Sequence, residues 1–306
     1  MSKPLDRMTL LETFVRIADT GSISAAARGL GLSQPSASRQ LAELETRLQT
    51  QLMRRNTHAL ALTDAGVDLL ADARQLLDSW EALTEKHLAG QQQIQGTLKV
   101  VAPIALGQHH LVRIAAAFQT EHPAVALTWE LNDQSIRFAQ VGCDCWIKVG
   151  PVPDETLVVR RLATVERLLV ASQPLVAEHG LPGTPKQAAS LPLVALGPFE
   201  GQRIPLLKGA KRSFTLQPPV RMRTNNIVAL KEAALMGVGI AVMPKWFVAQ
   251  ELEEGSLVDL LPGWQAPSLD IHVAYLPGRH QPLRLRAFLD ALQTGIAAIA
   301  GIKQVQ

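Results

Sequence analysis

Residues 22–48, SISAAARGLGLSQPSASRQLAELETRL, leave little freedom in what they form. Ser22 stands before an Ala-rich segment, where a helix needs an N-cap. Ala25, Ala26 and Ala27 let another helix approach closely. Gly29-Leu30-Gly31-Leu32 makes a short turn. Ser33 caps a further helix, and Pro35 sits in its first turn, where a missing N–H is harmless. The spacing predicts Ala37, Leu41, Leu44 and Leu48 inside, with Gln34, Ser36, Ser38, Arg39 and Gln40 on the other face. Two helices joined this way, at about residues 23–42, are helix-turn-helix grammar. Upstream, Leu10, Leu11, Phe14, Val15 and Ile17 mark a helix that Gly21 terminates as a C-cap. Downstream, residues 52–62 (LMRRNTHALAL) alternate as a small β-hairpin.

The polar face has chemistry suited to nucleic acid. Amides and hydroxyls on Gln34, Ser36 and Ser38 bond base edges or phosphates, and Arg39 pairs with guanine or a phosphate. Charge agrees. The first 60 residues hold eight Lys and Arg against five acids, whereas the remainder balances at twenty-two of each. All of the +3 excess lies in the first fifth of the chain, which favours a polyanionic partner, double-stranded DNA.

Thr63 caps a long helix running to about Leu88. Leu69, Ala73, Leu76, Trp80, Leu83 and His87 keep an a/d spacing along it, which suggests pairing with a second chain. Packing on its own domain is the other reading. A polar stretch, Gly90-Gln91-Gln92-Gln93, makes a hinge. Strands and helices then alternate: strands are predicted at 97–104, 125–131, 143–150, 162–171, 191–196, 219–223, 239–244 and 270–276. Helices are predicted at 111–120, 133–140, 226–236 and 282–292. Such alternation over about 200 residues implies an α/β domain with two lobes sharing a cleft.

Residues 8–66 resemble the DNA-binding domain of LysR-type transcriptional regulators. The matching string runs Leu10-Leu11, Phe14, Gly21-Ser22, Ala25-Ala26, Leu30, then Leu32-Ser33-Gln34-Pro35-Ser36. It continues through Ser38, Leu41, Leu44-Glu45, Leu48, Leu52 and Arg55 to Leu62-Thr63-Asp64-Ala65-Gly66. Two positions depart from the pattern: Gln49 stands where the family usually has Gly, and Met53 where it has Phe. The segments 141–163 and 224–264 resemble one branch of the same family. The resemblance implies an α/β protein in three parts. These are a winged helix-turn-helix (8–66), a linker and dimerisation helix (64–89), and a two-lobed effector domain like the periplasmic binding proteins (94–306).

The implied function is sequence-specific transcriptional regulation under a small-molecule effector, by a homodimer or homotetramer. DNA contacts are expected from Ser33, Gln34, Pro35, Ser36, Ser38, Arg39 and Gln40, and on the wing from Arg54, Arg55 and Asn56. Arg54 and Asn56 also read as solvated turn residues. In such folds ligands sit between lobes, near strand ends and helix starts. That points to Ala102, Pro103 and Ile104 on one wall, Thr224, Asn225 and Asn226 on the other, and Phe199 as a third. The ligand expected there is polar or anionic. Asn225 and Asn226 read equally well as helix N-caps, and the hydroxyl the family often places at 102 or 103 is missing.

Other motifs lead nowhere. Gly237-Val238-Gly239 lacks a third glycine and follows a helix, so it is no dinucleotide fingerprint. Cys143 and Cys145 are two apart on a predicted strand, hence on one face, as buried hydrophobes or a redox pair. His109-His110 lacks companions at metal-ligand spacing. No nucleophile elbow occurs, and no cofactor, metal or catalytic activity is expected. Asp6 and Glu12 interrupt the N-terminal apolar run, and no 18-residue apolar run exists, so a cytoplasmic protein without membrane contact is expected. Rival readings are a cytosolic small-ligand-binding protein, or an α/β enzyme fused to a DNA-binding segment. The recognition helix opposes the first, and the lack of a catalytic constellation opposes the second.

Overall fold

Individual side chains set the helix boundaries of the N-terminal domain. The computed structural model describes residues 6–56, 59–87, 94–197, 203–209, 212–277 and 281–304. Helix α1 (Arg7–Thr20) stops at Gly21, which is left-handed at φ 61°. Helix α2 (Ile23–Gly29) starts where the Ser22 hydroxyl accepts from the Ala25 N–H at 3.3 Å. Ser33 starts α3 (Gln34–Leu48) in the same way, accepting from Ser36 at 3.3 Å. Leu10, Phe14 and Ile17 of α1 pack on Ala26, Leu41 and Leu44. Leu48, expected inside, is 44% exposed, because α3 ends as it leaves the core.

Strands β1 (Met53–Asn56) and β2 (Ala59–Leu62) form the expected antiparallel hairpin. Glu45 fastens it to α3, accepting from the Leu52 and Met53 N–H groups at 2.8 and 3.1 Å. The Thr63 hydroxyl donates to the Gln51 carbonyl at 2.6 Å and accepts from the Gly66 N–H at 3.0 Å. Helix α4 (Asp64–His87) begins there. A β-carbon on Gly66 would overlap the Leu52 carbonyl oxygen, so the hairpin reaches the helix only because residue 66 has no side chain.

The first lobe beyond α4 holds β3 (Gly96–Ala102), α5 (Ile104–Leu106), α6 (Val112–Glu121), β4 (Val125–Leu131), α7 (Phe138–Val141) and β5 (Cys145–Val149). β3 lies between β4 and β5, parallel to both. Strand β6 (Val158–Ser172) crosses into the second lobe. That lobe contains α8 (Gln173–His179), α9 (Pro185–Ala188), β7 (Leu193–Leu196), β8 (Ile204–Lys208), β9 (Arg212–Leu216) and β10 (Val220–Thr224). It continues with α10 (Ile227–Leu235), β11 (Ala241–Pro244), α11 (Ala249–Glu253) and β12 (Leu257–Asp259). Strand β13 (Ala266–Tyr275) returns beside β6, antiparallel, and α12 (Leu283–Ala297) and β14 (Ile302–Gln304) close the first lobe. Leu98, Val100, Ile147, Val273, Phe288 and Leu292 centre one core, and Leu169, Leu193, Leu206 and Val242 another. The two-lobed α/β architecture is the one expected from the sequence.

Three local readings are corrected. The strand predicted over 97–104 ends at Ala102, and Ile104 already opens a helical turn. The helix predicted over 133–140 shrinks to Phe138–Val141. Its first half is held otherwise: Asn132 Oδ1 accepts from the Gln134 N–H at 2.9 Å, and Asp133 Oδ1 from the Ile104 N–H at 2.8 Å. Cys143 precedes β5, so strand alternation does not reach it. It packs with Phe138 and Trp146, whereas Cys145 packs with Ile147 in the first-lobe core. Both thiols are free and buried, and burial pushes Cys143 up to about 12, away from thiolate chemistry.

Candidate nucleic-acid interface and interlobe cleft

Helix α3 is held by one face and open on the other. Ala37, Leu41 and Leu44 anchor it, while Ser33, Gln34, Pro35 and Arg39 are exposed and Ser36 and Ser38 half-exposed. Gln40 does not belong with them. It is 6% exposed and bonds the Thr13 hydroxyl across the domain, so its amide fixes α3 to α1. On the wing, Arg54 is exposed; Arg55 and Asn56 continue β1, but their side chains lie outside the described residues. The backbone of Gln49 caps α3 in the left-handed region at φ 51°, among the described residues a conformation otherwise held by glycines.

The α4 seam divides into two parts. Ala73 is 2% exposed inside the N-terminal core, and Leu69 packs against that core, so this end is covered within the chain. Leu76, Trp80 and Leu83 are 49%, 51% and 40% exposed. The helix is also fastened to the first lobe. Arg284 of α12 donates to Asp78 at 2.9 Å and to the Thr97 carbonyl at 2.8 Å, and pairs with Glu81. Burial, with the nearby Asp144 charge, raises the Asp78 carboxyl to about 6 although Arg284 opposes it. One turn earlier, Arg74 pairs with Asp19 of α1.

Between the lobes lies a cavity of about 630 Å³. Pro103 lines its first-lobe wall, Asn225 and Gly197 its second-lobe wall. The other expected residues lie differently. Ala102 is fully buried in the first-lobe core. Ile104 contributes its N–H to Asp133 instead of to the cavity. Asn226 caps α10, its Oδ1 accepting from the Val228 and Ala229 N–H groups at 3.0 Å, and Thr224 accepts from the Asn226 N–H at 3.1 Å. Phe199 lies outside the described residues. Sequence reasoning missed Asp133, Lys148 and Arg167, which bring charge to a wall otherwise formed largely by apolar side chains. Burial raises Asp133 and lowers Lys148 from their ordinary values, each partly offset by the other's charge. A lysine inside the apolar strand CWIKV was the signal available for this site.

Comparison with known proteins gives matches in both parts of the chain. The family described as "Bacterial regulatory helix-turn-helix protein, lysR family" matches residues 8–67, and the "LysR substrate binding domain" matches residues 91–297. The HTH-type transcriptional regulator PtxR of Pseudomonas aeruginosa is 30% identical over 300 residues, 96% of each chain. A full-length single-substitution variant of OxyR from Pseudomonas aeruginosa superposes with a TM-score of 0.74 at 18% identity, over 99% of this chain and 100% of that one. CrgA, a LysR-type transcriptional regulator from Neisseria meningitidis, gives 0.58 at 26% identity, over 95% and 99%.

Proposed function

The chain belongs to the LysR-type transcriptional regulators, and from that premise we propose which of its residues read DNA, which pair the chains and where the effector binds. It is a DNA-binding transcriptional regulator with an effector-binding domain. The observation carrying the DNA assignment is α3: anchored by Ala37, Leu41 and Leu44, it turns Gln34 and Arg39 outward beside Ser33, Ser36 and Ser38. Gln34 and Arg39 read base edges in the major groove, and the serines and the wing residue Arg54 bond phosphates. Leu76, Trp80 and Leu83 pair α4 with its copy in a second chain, and two-fold symmetry then calls for matched half-sites.

The cleft takes a polar or anionic small molecule. Binding one lobe arrangement better than the other shifts the dimer, and with it the spacing and bending of the bound DNA. The output is transcriptional, not catalytic, and the site of action is the cytoplasm, where the DNA is. Footprinting with purified protein tests this reading. Two protected half-sites about one helical turn or a multiple apart are expected, with protection altered by the effector. Uniform, sequence-independent protection would refute it.

A further inference from the structure

We propose that Lys148 is the anchor for the effector, and that the effector is a small organic monocarboxylate with an apolar body. This rests on the cleft being the effector site and deepens that reading.

Three backbone N–H groups that could receive an anion near this cleft are already occupied by the protein itself. The Ile104 N–H donates to Asp133, and the Val228 and Ala229 N–H groups at the start of α10 donate to Asn226. Ala102 and Pro103 offer no hydroxyl. These three N–H groups are therefore satisfied before any ligand arrives.

Lys148 is the opposite case. It is 9% exposed, and among the described residues it makes no hydrogen bond and no ion pair. Its ammonium lies 5.1 Å from the centroid of the Trp146 ring, an attraction that leaves its N–H donors without acceptors. It stands at the end of β5, on the cavity wall. Buried charges elsewhere in proteins are paired, and Lys148 has no directly bonded counter-charge among the described residues. Asp133 acts on it only through space: its charge partly offsets the burial of Lys148, but its Oδ1 accepts from the Ile104 N–H and no ion pair joins the two among the described residues. Burial correspondingly lowers the Lys148 amine.

The rest of the wall describes the ligand. Among the described lining residues Lys148 is the cation with no hydrogen bond and no ion pair, so a ligand with one carboxylate supplies the contact it lacks. Arg167 commits Nε to the Pro267 carbonyl at 2.8 Å and adds its field. Leu106, Ile147, Val165, Val242, Trp246 and Leu269 offer an apolar lining. A ring or short alkyl chain fits that lining, with the carboxylate on Lys148.

The test uses benzoate, cyclohexanecarboxylate and hexanoate, with benzamide, cyclohexanecarboxamide and hexanamide as neutral matches. Calorimetry and thermal shift at pH 7 compare the wild type, Lys148→Met and Lys148→Arg. At least one acid should bind the wild type, with its amide weaker by about tenfold or more, the loss of one charge-assisted contact. Lys148→Met should lose a similar factor and Lys148→Arg should keep most of the affinity. Without ligand, Lys148→Met should melt no lower than the wild type, which shows that it folds. Hydrogen exchange should show acid-dependent protection of residues 132–135 and 147–149. Equal binding of acid and amide, equal binding by wild type and Lys148→Met, or no binding by any acid overturns the proposal. Equal protection of these segments in both proteins removes the anchor and keeps the cleft; binding that protects neither segment removes the cleft as well.

Discussion

The guanidinium of Arg74 occupies the space in which a β-carbon on Gly142 would lie. Gly142 closes α7 in the left-handed region at φ 60°, and Arg74 pairs with Asp19 on its other side. One side chain of the linker helix thus touches both the DNA-binding domain and the effector domain. Among the described residues Nη1 of this guanidinium is buried without a hydrogen-bond partner, so packing surrounds it instead. Gly142→Ala should destabilise the protein by about 2 kcal/mol, from backbone strain and displacement of the guanidinium. The same change in an Arg74→Ala background should cost less, because there is no guanidinium to displace. Denaturant titration of the four proteins measures the coupling, and strict additivity would dismiss the contact.

The Asp78 carboxyl, raised to about 6, gives the linker joint a pH response. The unfolded group titrates near its ordinary value of 3.8, so between these two values the folded protein holds the extra proton. Its contribution to stability is present at lower pH and is lost as pH rises through about 6. Asp78→Asn keeps the neutral form at every pH. The difference in Tm, variant minus wild type, should therefore be more positive at about pH 7.5 than at about pH 5. An equal difference at both would sink the assignment.

Arg39 is exposed on α3 and is not part of the core that holds the helix. Arg39→Ala should weaken specific DNA binding by about 1–3 kcal/mol if it reads a base, with Tm unchanged. A mobility-shift titration at fixed salt checks it, and unchanged affinity counts against the role.

Leu76 and Leu83 are the exposed leucines flanking Trp80 on α4. Leu76→Glu with Leu83→Glu puts charge into the proposed pairing surface but leaves the chain's own core intact. Sedimentation should then find monomers, with operator affinity lowered. A dimer of undiminished strength would place the interface elsewhere.

Gln49 holds φ 51° at the end of α3, a conformation that disfavours side chains. Gln49→Gly removes that strain, partly offset by the freer unfolded chain, for a net gain of about 0.5–1 kcal/mol. Thermal melting of the N-terminal domain within the full chain should rise by a few degrees. A fall would show that the side chain has a structural role of its own.

What the sequence disclosed was local. Caps at Gly21, Ser22, Ser33 and Thr63 act between residues a few positions apart, and the structure has them as read. Gln40 shows where that reading stops. It shares the i, i+3, i+4, i+7 stripe with Ala37, Leu41 and Leu44, but polarity alone moved it outward. The Thr13 hydroxyl that satisfies it is 27 positions away. Ala73 lies on both the a/d seam and the inward stripe with Leu70, and the fold of the domain decides which it serves. The cleft depended most on distance: Asp133 meets Ile104 across 29 positions, and nothing near either residue announces the bond.

Strands β6 and β13 pass through both lobes as one hydrogen-bonded ribbon, paired from Ala266 with Arg167 to Tyr275 with Val158. Opening or closing the cleft must flex this ribbon, which resists as a leaf spring does, whereas a coil hinge would turn freely about a few dihedrals. The register breaks between Ala266 and Leu269 and between Ile271 and His272 give the bend its places to concentrate. Where a ligand in the proposed cleft changes the angle between the lobes, this ribbon bends with it, and its pairing resists the bend.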